Sequence, residues 1–356
     1  VAKTPVETNV LASIAANGPM CVSDYMAMCL TDLEHGYYRK AEAIGRQGDF
    51  ITAPEISQIF GELIGLWAVQ VWRDMGTPAP FQLIELGPGR GVLMADALRA
   101  AKSAPDFLSA MMLCLVESSL PMRERQETAL RAHNPVWLDD LGQAPLAPSI
   151  IIANEFFDAL SIRQFAFENG VWRRRRIDAS GGALHFVVGE PEHGLSVPTP
   201  ESDGAIFEDS PSREAVIDQF ACLAAHSPFA AIVIDYGHQG EAGGDTLQAV
   251  SRHGYASVFD RPGETDLSSH IDFAALARRA NQRGLLNFGP IPMGLFLLRL
   301  GMGVRLNQLC ASTTLEQQEA LIAGVRRLTS PMEMGELFRV LAVTNGVIPA
   351  PFEVTP

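Results

Sequence analysis

Three glycines at alternate positions, Gly87, Gly89 and Gly91, follow the apolar run of residues 81–86, which carries one acid, Glu85. Glycine lets a chain turn tightly and lets its backbone approach a ligand with no side chain in the way. Val92, Leu93, Ala95 and Leu98 then read as the apolar side of a starting helix. The first N–H groups of such a helix are unpaired and sit at the positive end of its dipole. The chemistry open to this turn is the cradling of a nucleotide-like ligand; a glycine-rich turn with no ligand is the plain alternative. A dinucleotide fits poorly, because its Gly-x-Gly-x-x-Gly pattern needs a third glycine where this chain has Val92. The P-loop pattern is absent, since no Lys-Ser or Lys-Thr follows the glycines.

The form Glu85-x-Gly87-x-Gly89-x-Gly91 resembles the cofactor loop of class I S-adenosylmethionine (SAM) methyltransferases. SAM has no phosphate but carries a sulfonium and an ammonium, so an acid beside the loop serves it better than a lysine. Residues 111–116 form a second apolar run, of the kind a buried parallel strand shows, and end in Glu117. In doubly wound sheets an acid at the end of the second strand accepts hydrogen bonds from ribose hydroxyls. Glu117 is the candidate for that role; the competing reading is an acid that caps the helix after Ser118 and Ser119. Val136, Trp137 and Leu138 form a short third run that ends in Asp139 and Asp140. Asp139 is placed at the adenine amino group, with a solvated acid pair as the alternative.

Ligands of open parallel sheets sit at the carboxyl ends of the strands. The fourth such end, after residues 149–153, presents Asn154, Glu155 and Asp158, and the fifth, after 230–234, presents Asp235 and Tyr236. Asn154 is assigned to the cofactor side, Glu155 and Asp158 to the methyl acceptor, and Asp235 and Tyr236 to the substrate. Adenine methyltransferases carry an Asn/Asp-Pro-Pro-Tyr/Phe motif at the fourth end. Asn154-Glu155-Phe156-Phe157 has no prolines, which disfavours that subclass. A carboxylate pair suits a guanidinium, which is planar, always charged and pairs bidentately with carboxylates. Two acids can localise its charge on two nitrogens and hold the third in line with the methyl group, about 3 Å away. In the alternative, Asp158 caps a turn and only Asn154 or Glu155 touches ligand. Glu55, with Gln58, lies on the first turn of an N-terminal helix and is assigned to the substrate side. His270 could accept a proton near neutral pH or simply sit in a helix-capping region. The run Arg173-Arg174-Arg175-Arg176 reads as a solvated ribbon edge, with a docking patch for an acidic partner as the second reading.

The elements that must position these residues alternate. Strands and helices succeed each other over residues 81–160, which implies a parallel sheet with right-handed crossovers. The expected fold is α/β: a doubly wound, mostly parallel, seven-stranded sheet. Residues 1–80 form an N-terminal helical region packing on the core, and residues 81–356 form that core. Insertions are expected near 160–210, 238–268 and 292–330. The first is an antiparallel hairpin set turning at Asn169-Gly170. The second is loop-rich and the third helical. Thr52-Ala53-Pro54-Glu55 opens one long helix that runs through Met75, with Ile59, Phe60, Leu63, Trp67, Val71 and Trp72 as a core-facing stripe.

Composition bounds the function. The 356 residues are 47% hydrophobic and 19% charged, which describes an ordinary globular protein. A net charge of −14 argues against nucleic acid as the main partner. Five scattered cysteines without Cys-x-x-Cys, and eight histidines without metal-ligand spacing, point to reduced thiols and no metal. No run approaches the roughly 20 apolar residues that span a bilayer, so no membrane insertion is expected. No signal-peptide pattern opens the chain, and the expected setting is cytoplasmic in a bacterium, or the mitochondrial matrix for a eukaryotic homologue.

Several longer strings, together with the glycine loop, resemble the MidA-like family, which includes the mitochondrial complex I assembly-factor arginine methyltransferase. They are residues 33–38 (LEHGYY), 48–57 (GDFITAPEIS), 154–160 (NEFFDAL), 234–237 (IDYG), 270–273 (HIDF) and 334–338 (MGELF). The resemblance covers nearly the whole chain. It implies a class I SAM fold, SAM as cofactor, arginine N-methylation of a protein substrate, and a link to respiratory complex I assembly through one of its subunits. Two other readings stay open: a SAM-binding scaffold, and a methyltransferase for a non-arginine or small-molecule acceptor. The long insertions favour a macromolecular substrate.

Overall fold

The apolar runs that end near residues 86, 116, 138, 154 and 234 reach the same edge of one sheet. The computed structural model describes residues 2–39, 52–195, 197, 199–200, 202–240, 244–251, 254–347 and 349–352. Residues 48–51 of the string 48–57 therefore lie outside the described residues.

Helix α1 (Pro5–Asn17) starts at Thr4, whose hydroxyl accepts from the Glu7 N–H. A two-residue strand β1 (Met20–Cys21) and helix α2 (Val22–Thr31) follow. The helix expected over 52–75 is in fact two. Ser57 is extended, ending α3 (Ala53–Ile56), and its hydroxyl caps the next helix, α4 (Gln58–Asp74). Thr52 stands at the N-cap of α3, but its side chain makes no cap bond among the described residues. The apolar stripe of α4 is buried as its spacing requires, each large side chain contributing about 1.5–3 kcal/mol.

The parallel core comes next: β2 (Phe81–Leu86), α5 (Val92–Ala100), α6 (Pro105–Ala110), β3 (Met111–Val116), α7 (Leu120–Leu130), β4 (Val136–Leu138) and β5 (Ser149–Asn154). Helix α4 lies close on α5: a Cβ on Gly65 would stand 2.3 Å from the Ala97 carbonyl oxygen, so only glycine allows this approach. Strands β6 (Arg163–Glu168), β7 (Val171–Ser180), β8 (Ala183–Pro191) and β9 (Ile206–Asp209) form an antiparallel sheet. Asn169 and Gly170, both with positive φ, make the hairpin turn. Strand β1 joins this sheet against β7, so α1 and α2 pack with the insertion, while α4 packs with the core.

After α8 (Pro211–Ala224) and β10 (Phe229–His238), the stretch expected to be loop holds a small antiparallel sheet of β11 (Gln248–Ser251), β12 (Gly254–Ala256) and β13 (Asp266–Ser268). Its buried Ala249 and Leu267 join the α1–α2 core, a tertiary reward that local composition does not reveal. Then come β14 (Ile271–Asp272), α9 (Phe273–Gln282), β15 (Leu286–Pro292), α10 (Met293–Arg299), α11 (Met302–Cys310), α12 (Leu315–Thr329), α13 (Met334–Leu337) and β16 (Phe338–Thr344). The Arg305 guanidinium meets the Glu62 carboxylate at 2.7 Å and ties this helical insertion to α4.

The main sheet has eight strands among the described residues, in the order β15-β16-β10-β5-β2-β3-β4, with β14 extending β10. Strand β16 is antiparallel to both its neighbours, while β10, β5, β2, β3 and β4 run parallel, so the sheet is mixed with the parallel majority expected of it. Residues Val340–Val343 of β16 are fully buried, and burial on both faces gives an antiparallel central strand the same continuous apolar pattern as a parallel one. Helices cover both faces: α4, α5 and α10 one, α8 and α9 the other. No described helix is long and apolar enough to cross a membrane.

Candidate active site

Register brings the candidate residues together. Leu86 pairs with Val116, Val116 with Leu138, Leu86 with Ala153, and Asn154 with Ile234. The ends of β2, β3, β4, β5 and β10 are therefore adjacent, and Gly87, Glu117, Asp139, Glu155 and Asp235 leave them side by side.

The glycine turn is shaped as its residues demand. Gly87, Gly89 and Gly91 all have positive φ, and Gly91 is the N-cap of α5. Beneath it, Glu85 is 3% exposed, and burial pushes its carboxyl up to about 8. Among the described residues Glu85 Oε2 has no hydrogen-bond partner, and neither has the buried Asn154 Oδ1. Two unpartnered acceptors beside a glycine cradle fit a cationic, donor-rich ligand such as the methionine end of SAM better than a phosphate.

Glu117 is partly buried; its Oε1 accepts from the Ser119 N–H at 2.8 Å and its Oε2 from Gln126 at 3.2 Å. Burial raises its carboxyl, with these bonds working the other way. The bond to Ser119 is the one the capping reading expects; the ribose role stays a proposal for the same carboxylate. Asp139 is exposed and pairs with Arg123 at 2.5 Å, so its assignment to adenine requires that pair to open.

Sequence reasoning missed Gln126. It is fully buried and donates to the Gly89 carbonyl at 2.7 Å and to Glu117, while its Oε1 accepts from the Trp137 indole N–H at 2.8 Å. One amide thus braces the ends of β2, β3 and β4. Helix α7 is polar on most sides, so no amphipathic pattern singled Gln126 out. Gln126→Ala is expected to weaken SAM binding about tenfold, the cost of orphaning buried partners. Calorimetry checks this, and unchanged affinity would remove Gln126 from the site.

The acceptor side is an acid cluster. Glu155 has φ +50, a conformation rare for a non-glycine residue, which turns the chain out of β5. Its Oε1 accepts from the Ala53 N–H at 2.9 Å and from Asn154 at 3.3 Å. Burial raises its carboxyl to about 7, and the nearby Asp158 charge adds to the rise. Asp158, 8% exposed, accepts the Tyr236 hydroxyl at 2.7 Å on Oδ2, and its Oδ1 has no partner among the described residues. Its carboxyl is also raised by burial.

Asp235 is a correction. It is fully buried, and its carboxylate takes the N–H groups of Phe157, Asp158 and Tyr236 at 2.9–3.1 Å. Those bonds make it the support under the Glu155–Asp158 turn, with no surface left for substrate. Tyr236 stays in reach, its ring edge-on to His270 at 5.4 Å and to Phe338 at 5.5 Å. Burial holds the His270 imidazole below its ordinary range, so it is neutral near pH 7 and able to accept a proton. The capping role next to it belongs to Asp272, which accepts from the Ala275 N–H. Glu55 meets Arg90 of the glycine turn at 3.3 Å, so α3 bridges that turn and Glu155. The arginine run on β7 is paired rather than free: Arg174 with Glu192, Arg175 with Asp245 and the Phe186 ring, Arg176 with the Pro19 carbonyl.

Known proteins resemble this chain. Residues 63–291 match a family model described as "Putative S-adenosyl-L-methionine-dependent methyltransferase". A mitochondrial protein of Drosophila melanogaster, named a protein arginine methyltransferase NDUFAF7 homolog, is 37% identical over 97% of this chain and 86% of its own length. The protein arginine methyltransferase NDUFAF7 of Homo sapiens, also mitochondrial, is 33% identical over 96% of this chain and 83% of its own. A Burkholderia thailandensis structure bound to S-adenosyl-homocysteine superposes with a TM-score of 0.85 at 25% identity, covering 98% of this chain and 96% of that one.

Proposed function

The chain belongs to this family of SAM-dependent methyltransferases, and from that premise we propose that it methylates an arginine side chain of a protein substrate. The observation that carries the acceptor is the buried cluster of Glu155 and Asp158, with Asp158 Oδ1 unpartnered among the described residues, beside the glycine turn. The strand order, with β16 between β10 and β15, supports the class I arrangement. Recognition of a protein would fall to residues 1–80 and to the insertions near 160–210, 238–268 and 292–330 of the 81–356 core. A subunit of respiratory complex I is the proposed substrate.

SAM, when bound, supplies an electrophilic methyl group. The chain's own residues supply position and charge. Gly87, Gly89 and Gly91 leave the turn open, Glu85 and Asn154 face the cationic end, and Glu117 takes ribose hydroxyls. Glu155 and Asp158 hold the guanidinium so that one nitrogen points at the turn. Tyr236 fixes the Asp158 rotamer through its hydroxyl, and neutral His270, edge-on to the Tyr236 ring, is the proposed acceptor of the proton released on transfer.

The site predicts a pH dependence. In the folded protein Glu85 keeps its proton up to about 8, whereas an unfolded chain releases it in the ordinary carboxylate range. Between those values the native state binds more protons, so the ligand-free protein loses stability as pH rises. A cationic ligand favours ionised Glu85, so SAM affinity is expected to rise up to about tenfold per pH unit below 8 and then level off. Calorimetry at pH 6 to 9 reads this directly. A flat profile in the unmodified protein would separate Glu85 from the ligand, and Glu85→Gln is expected to be flat.

The acceptor is tested by incubating the protein with methyl-labelled SAM and an extract of cells lacking the gene, followed by acid hydrolysis. Label in methylarginine supports the reading; label only in other amino acids or in small molecules refutes it.

A further inference from the structure

Arg213 opens α8 at its third position, after the cap Ser210 and Pro211. A cation in the first turn of a helix opposes the dipole, so something else must hold it there. The side chain is 6% exposed. Its guanidinium donates to the Phe157 carbonyl at 2.9 Å, the His270 carbonyl at 2.8 Å, the Ser269 carbonyl at 3.1 Å and the Ser269 hydroxyl at 2.6 Å. The Ser269 N–H in turn donates to the Asp158 carbonyl at 3.1 Å. One planar fork therefore joins the turn that carries Glu155 and Asp158 to the segment that carries His270.

Among the described residues Arg213 makes no direct ion pair. The acids Asp235 and Asp158 nonetheless act on it through space. Three carboxyls, Glu155, Asp158 and Asp235, share this buried corner, and buried like charges repel strongly. The geometry points to Arg213 as a positioning residue for the methyl acceptor: it fixes the acid turn against the His270 segment and balances the buried acids with its charge. This rests on the reading that Glu155 and Asp158 face the acceptor. A lysine could supply the charge but not the four-bond fork.

Asp158 faces Tyr236 and Asp235 from β10, Glu155 from its own turn, Tyr38 from the Tyr37–Arg39 turn and Arg213 from α8. Arg213 is the one cation of this set, so its loss should make Asp158 harder to ionise.

The test uses the full chain, methyl-labelled SAM and protein extract of cells lacking the gene, with rates taken from pH 6 to 9. Arg213→Met is expected to lower incorporation into arginine about 100-fold, the scale of a misplacement near 1 Å. Its acid limb should shift to higher pH, while SAM affinity by calorimetry stays within about threefold. Arg213→Lys is expected to return the acid limb toward its original position while the maximal rate stays low. Wild-type rates and pH profiles in both variants would overturn the proposal. So would equal losses in both with an unshifted profile, since that marks a merely structural role. If Arg213→Met does not fold, Arg213→Lys decides together with calorimetry: a wild-type rate rejects the fork, a low rate with SAM affinity within about threefold of the parent supports it, and a low rate with SAM binding lost alongside it marks a merely structural role and overturns the proposal. Asp158→Asn is run beside them. Full activity there rejects the acceptor reading and the proposal that rests on it, whereas an inactive Asp158→Asn beside fully active Arg213 variants rejects the proposal alone.

Discussion

Glu155→Gln is expected to lower methyl transfer by about 10²–10³-fold, the scale of losing one preorganised group that stabilises transition-state charge. SAM affinity should be unchanged. The amide is nearly isosteric and can keep the bond from the Ala53 N–H, which the structure places at 2.9 Å on Glu155 Oε1. What it cannot do is present a negative charge to a guanidinium. The same substitution should not destabilise the fold. The carboxyl is raised to about 7, so its ionised form is already costly at pH 8, and a neutral amide avoids that cost. Lower activity with an equal or higher melting temperature at pH 8 is therefore the expected pair of results. Transfer at the wild-type rate would show that Glu155 does not hold the acceptor.

Gly87→Val is expected to reduce SAM affinity at least about 100-fold. Gly87 has φ +61, a region a β-branched residue avoids. A left-handed conformation alone costs roughly 1–2 kcal/mol in an L-residue. The new Cβ would also stand 2.9 Å from Phe156 Cδ2. Either the glycine turn or Phe156 must move, and Phe156 lies between Glu155 and the Phe157–Asp158 amides that Asp235 holds. One substitution thus disturbs cofactor and acceptor sides together. Calorimetry with SAM measures the effect, and affinity within threefold of the parent would contradict the cradle.

Features set by near neighbours in the chain were legible in the sequence. The alternate glycines, the acid under them and the Asn169-Gly170 hairpin are local choices of backbone conformation, and each takes the predicted shape. The strand ends were legible as well, because continuous apolar runs mark strands buried on both faces. Features set by distant partners were not. Ser57 breaks a helix whose apolar spacing continues through it. The β11–β13 sheet depends on a core shared with α1 and α2, some 200 residues away in sequence. Asp235 looked like a ligand contact because it ends a strand at the right edge; only its three backbone partners reveal it as a support. Arg213 did leave a trace, a cation in the first turn of a helix, and Gln126 left none.

Quantitative mass spectrometry of arginine methylation in the source organism, with and without this gene, tests the central claim most directly. The account predicts loss of methylarginine at a defined site on a protein, restored by the gene but not by its Glu155→Gln form. Unchanged methylarginine throughout the proteome, with the purified protein still binding SAM, would contradict it.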